Sequence, residues 1–158
     1  MFYKDIVDQI DSLLVEFLKL SKAKGVFFID KEGHLITQVG EKVNANSETV
    51  SALVAGSFSA TRELAKILGE PHFANMFHKG KKDSISIVLV GQRSMLAVIF
   101  DDGTTAGMID LYCKEAVVKI EKIMDLAERK QKMQKKGALL HEDYNESVQA
   151  KLDELFED

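Results

Sequence analysis

Apolar residues at three- and four-residue steps open the chain: Ile6, Val7, Ile10, Leu13, Leu14, Phe17 and Leu18, with Asp5, Asp8, Asp11 and Lys19 between them. That period predicts an amphipathic helix over residues 4–20, closed off by Gly25. Val26 to Ile29 is a short apolar, aromatic run ending in Asp30-Lys31-Glu32-Gly33, whose glycine suits the positive φ of a tight turn. His34 to Val39 then runs back as the second strand of a hairpin. Residues 40–46 are polar connection, after which Ser47 is a candidate N-cap for a long helix reaching Leu68, with Gly69 as C-cap and Pro71 just beyond. Three strand-like runs follow, Phe73 to Lys79, Ser84 to Val90 and Met95 to Phe100, separated by Gly80-Lys81-Lys82-Asp83 and Gly91-Gln92-Arg93-Ser94.

Helical spacing returns over residues 106–129, with Ile109, Val117, Ile120, Ile123, Met124 and Ala127 as an apolar stripe. Residues 129–137 (RKQKMQKKG) are basic and poor in core formers, which predicts a helix end running into a flexible linker. The last segment is acidic but sets Tyr144, Val148, Leu152, Leu155 and Phe156 on one helical face. The expected organisation is a main domain over 1–128, a basic linker over 129–141 and an acidic amphipathic helix over 142–158. Hairpin-linked strands beside helices imply an α+β fold: a five-stranded antiparallel sheet with helices on both faces, in the order α-β-β-α-β-β-β-α. Nothing in this order requires the parallel crossovers of a doubly wound nucleotide-binding fold.

The helix over 47–68 carries the sharpest pattern. Val50, Leu53, Val54, Leu64, Ala65 and Leu68 share one face, which is expected to lie on the sheet. Ala52, Gly56, Ser59, Ala60 and Glu63 recur along the opposite side as a strip of mostly small side chains. A glycine inside a helix costs about 0.5–1 kcal/mol relative to alanine, a loss easier to understand where another backbone comes close. Gly56 either fits under a neighbouring element of the same chain, or the whole strip is a flat surface for a partner.

Composition and charge narrow the partners. Across 158 residues the net charge is -4 and the sequence pI about 5.6, so there is no overall basic surface to hold nucleic acid. The N-terminus alternates charged and apolar residues, unlike a secretory signal, and no stretch approaches the ~20 apolar residues that span a bilayer. The single Cys113 fits a reducing cytoplasm.

A search for chemistry yields little. No G-x-x-x-x-G-K-S/T phosphate loop occurs, and His34, His72, His78 and His141 lack metal-site spacing. Neither a cofactor nor a metal is expected. Cys113 reads as a small core residue, and Asp101-Asp102 as turn and helix-entry residues. Arg62 and Arg93 are the two arginines able to reach a phosphate as fingers, though solvated surface arginines are far commoner.

Ser51-Ala52-Leu53-Val54-Ala55-Gly56 and Ala60 to Glu70, then Phe77-His78-Lys79-Gly80, Ala97 to Asp101 and Gly107 to Tyr112, resemble in order and spacing the roadblock family, and within it the bacterial MglB branch. The resemblance spans residues 5–128, and the helix beginning near Asp143-Tyr144 is similar to the C-terminal helix of that branch. It implies a homodimer whose third strands pair through Phe73, Asn75 and Phe77, and whose central helices form one platform. A small Ras-like GTPase of the MglA kind would sit there on Ala52, Gly56, Ser59, Ala60 and Glu63. The GTPase would be accelerated by movement of its own catalytic groups, without an arginine lent to it or an active site in this chain. Tyr144, Val148, Leu152, Leu155 and Phe156 would dock elsewhere on the GTPase and tune its nucleotide cycle. A scaffold that tethers a GTPase or motor complex without altering turnover is the alternative, and a ligand-sensing domain a third.

Overall fold

The computed structural model describes residues 4–41, 47–71, 73 and 75–156, with the side chains at 138–145, 147 and 156 left aside. The elements run α1 (Lys4–Ser21), β1 (Gly25–Asp30), β2 (Leu35–Gly40), α2 (Ser47–Leu68), β3 (Asn75–Lys79), β4 (Ser84–Val90), β5 (Ser94–Phe100) and α3 (Ala106–Phe156). The strands form one sheet in the order β2-β1-β5-β4-β3, and every neighbouring pair is antiparallel. This is the α+β architecture expected from the hairpin pattern.

Because side chains alternate across a strand, the sheet needs cover on both faces. Phe27, Ile29, Ile87, Met95 and Ala97 point to one face and pack with Val54, Ala55 and Phe58 of α2. Val26 and Phe28 alternate to the other face and are fully buried. There α1 lies against β1 and β2 through buried Ile6, Ile10, Leu14 and Phe17. The first part of α3 sits beside α1, since Leu13 and Phe17 share a shallow groove with Tyr112 and Ala116.

Local punctuation explains most boundaries. Gly33 has φ +95° at the β1–β2 turn, where a Cβ would come within 3.0 Å of the Cα of Ala52. Gly69, at φ +75°, ends α2: its N–H donates to the Lys66 carbonyl while the Glu70 N–H donates to the Ala65 carbonyl. α1 ends differently from expectation. Gly25 already belongs to β1, and the turn out of the helix is made at Lys22, whose φ is 60°. The Ser47 hydroxyl donates to Gln38 Oε1, tying the start of α2 to β2. The third strand begins at Asn75 rather than Phe73, and residues 42–46 of the expected connection lie outside the described residues.

The basic segment expected to be a flexible linker is helical throughout, as part of α3. Lysine, arginine, glutamine and methionine are good helix formers, no proline interrupts them, and Gly137 alone is too weak a breaker. The chain nonetheless divides into two compact units between Ile123 and Met124. Within the first unit, α3 buries Ile109, Cys113, Ala116 and Ile120. That stripe differs from the expected one, as Val117 and Ile123 are half-buried.

Candidate protein-interaction surface

α2 presents its surface through the way it meets the sheet. Ser51, Val54, Ala55, Phe58 and Ala65 are buried, placing the sheet-facing sector between small and large residues alike. Ser51 enters the core without an orphaned hydroxyl because its Oγ donates to the Ser47 carbonyl at 2.8 Å. The five residues singled out in the sequence, Ala52, Gly56, Ser59, Ala60 and Glu63, are all exposed. A Cβ built on Gly56 meets nothing within 4 Å, so no element of this chain among the described residues requires a glycine there.

The expected core face of α2 needs a correction. Val54 and Ala65 are buried, but Leu53 is 67% exposed, and Leu64 and Leu68 also face solvent. Small Ser51 and Ala55 let the helix lie close to the sheet and to the β1–β2 turn, and this rotates the larger leucines outward. Ile67, at 81%, joins them. Leu53, Ser57, Ala60, Leu64 and Ile67 therefore form an outer row at alternating steps of four and three, the spacing of a helix seam that packs on another surface. That spacing is visible in the sequence and was the signal for the row. Covering one such side chain with a partner is worth about 1.5–3 kcal/mol, so the row outweighs the small strip in binding energy while the strip permits close approach.

The expected dimer residues lie on and just ahead of β3, the strand that α2 reaches through the Thr61 hydroxyl, 3.9 Å from Met76 Sδ. β3 is an edge strand with mostly exposed side chains on either face, and among the described residues no strand lies beside its outer row of backbone donors and acceptors. Phe77 is half exposed and stacks on Phe100 with ring centroids 5.9 Å apart. Asn75 is exposed, its Nδ2 3.4 Å from Asp110 Oδ1, and Phe73 is half-buried ahead of the strand. In the second unit, Val148, Leu152 and Leu155 are exposed; the side chains of Tyr144 and Phe156 lie outside the described residues.

The remaining candidates resolve into structural roles. Asp101 Oδ1 accepts from the Gly103 N–H and Thr105 Oγ1 from the Met108 N–H, which are turn and helix-entry contacts. Asp30, Glu32 and His34 gather their ligand atoms within 4.8 Å of one another, yet Asp30 Oδ1 already accepts the backbone N–H groups of Glu32 and His34 and so staples the β1–β2 turn. Lys24 bridges Asp83 at 3.1 Å and Glu41 at 3.7 Å; the hydrogen bond to Asp83 raises its pKa. Arg62 and Arg93 are exposed, and His72 and the His141 side chain lie outside the described residues. Burial pushes the Cys113 thiol up to about 12, with a smaller contribution from Asp110, which leaves it a protonated core residue. No helix among the described residues is long and apolar enough to cross a membrane.

Comparison with known proteins places this geometry. The Roadblock/LC7 domain model matches residues 9–100. Among solved structures, Myxococcus xanthus MglB is 38% identical with a TM-score of 0.71, over 74% of this chain and 95% of that one. The gliding protein MglB of Thermus thermophilus is 26% identical with a TM-score of 0.73, over 78% and 93%. A structure described as MglB with a tetrameric arrangement is 25% identical with a TM-score of 0.75, over 80% and 96%. No curated protein matches the chain.

Proposed function

Starting from a chain that belongs to the Roadblock/LC7 family, we propose that it is a homodimeric regulator that binds a small Ras-like GTPase of the MglA kind and stimulates its GTP hydrolysis. The observation that carries this reading is the outer side of α2: a strip of small exposed residues, open above Gly56, flanked by exposed Leu53, Leu64 and Ile67. A large apolar row of this kind is costly to leave in water and marks a protein-binding face. Likeness to MglB indicates which kind of partner fits it.

In this reading two copies pair through the β3 edges, using Asn75 and Phe77 with Phe73 beside them, and bring their α2 helices into one platform. The GTPase rests on Ala52, Gly56, Ser59, Ala60 and Glu63. By likeness to MglB, it acts without an active site of its own, shifting the GTPase's catalytic groups into place. The C-terminal segment, through Tyr144, Val148, Leu152, Leu155 and Phe156, docks as an amphipathic helix on the GTPase and tunes its nucleotide cycle. Phosphate release from a cognate GTPase tests the proposal: the purified chain should raise the rate, and Gly56→Arg or Ala60→Arg should abolish binding while leaving a folded dimer. Binding without acceleration would make the chain a scaffold, and an unaffected folded Gly56→Arg would remove α2 from the interface.

A further inference from the structure

Residues 129–136 hold Arg129, Lys130, Lys132, Lys135 and Lys136 with no carboxylate, a local charge opposite in sign to the net -4 of the whole chain. The segment is helical and all five cations are exposed. Two large apolar side chains stand among them, Leu126 at 66% and Met133 at 75% exposure. At about 100° per residue these two fall within about 20° of each other. Arg129, Lys136 and Lys132 follow in that order on one side of the pair and Lys130 on the other, while Lys135 falls on the far face. Asp125 and Glu128 lie just upstream. Glu128 bridges Lys132 at 3.6 Å, and among the described residues no ion pair holds the other four cations.

Cations three and four residues apart, as in Arg129 with Lys132 and Lys132 with Lys136, repel one another and oppose the helix that carries them. An anionic surface removes that opposition. The apolar pair decides which surface: the phosphate backbone of a nucleic acid gains nothing from Leu126 and Met133. A lipid headgroup layer takes such side chains to its acyl boundary and meets the flanking cations with phosphates. We propose that residues 126–136 dock on an anionic lipid surface as a peripheral amphipathic helix, with Leu126 and Met133 inward and Arg129, Lys130, Lys132 and Lys136 reaching the headgroups. The carboxylates of the C-terminal segment begin at Glu142. At about 1.5 Å per residue that is about 9 Å beyond Lys136, about one Debye length at physiological salt, so they limit the contact without cancelling it. The contact is reversible, because so short an apolar strip holds far less tightly than a spanning helix. It involves no GTPase and does not depend on that reading.

Flotation of the full-length chain with vesicles tests this. The chain should float with phosphatidylcholine vesicles that contain phosphatidylglycerol, stay behind with phosphatidylcholine alone, and be released by about 0.5 M salt. Lys132→Glu with Lys136→Glu should weaken vesicle binding about tenfold or more while the thermal melt is unchanged. Met133→Ser, which keeps every charge, should weaken it about fivefold. Equal flotation with both vesicle types, no flotation, or undiminished binding by either variant would overturn the proposal. Retention on duplex DNA without flotation would overturn it in favour of nucleic acid.

Discussion

Replacing Gly56 by alanine separates what this residue does for the fold from what it does for a partner. Within a helix, glycine costs about 0.5–1 kcal/mol relative to alanine because its backbone loses more freedom on folding. The added methyl group meets nothing within 4 Å, and Gly56 is not among the glycines held at positive φ. No clash or strain offsets the gain, so Gly56→Ala should stabilise the isolated chain by that amount, a rise in Tm of about 1–4 °C for a protein of this size. Thermal melting followed by helical circular dichroism at low protein concentration reads this directly. Destabilisation at every concentration would refute the open strip and seal it within the chain's own fold. A loss that grows with concentration would instead put the backbone of a second copy against it.

Gly69→Ala, by contrast, should destabilise by about 1–2 kcal/mol although a Cβ there also meets open space, because φ is +75°; urea denaturation checks the sign. Cys113 should resist alkylation in the native protein at pH 8 and react rapidly in urea, measured by mass spectrometry. Because its thiol titrates higher folded than unfolded, the stability it contributes is complete below the unfolded thiol value and is lost as pH rises toward about 12.

Much of the fold was legible because its signals are local. Short apolar runs with Gly33 and Gly91 at the turns define the strands, and Gly69 before Pro71 stops α2 where a left-handed residue is needed. Local signals failed where two were in competition. Gly25 reads as a helix stop, yet the β1 pairing that joins it to Gly40 and Ile99 claims it for the sheet, and Lys22 takes the turn. The basic run at 129–136 reads as a linker from its charge, while the helix propensity of the same residues continues α3.

The order of chain periods and turn residues by itself determined the element sequence, the antiparallel sheet and the presence of a small-residue strip on α2. Only tertiary structure decided which sector of α2 faces the sheet. Ser51 and Ala55 are small enough to allow close approach, so the helix settles on them with Val54 and Phe58, and Leu53, Leu64 and Ile67 are left in water. A helical wheel ranks residues by hydrophobicity, but the sheet selects the sector whose shape fits, and that selection depends on contacts far apart in the chain.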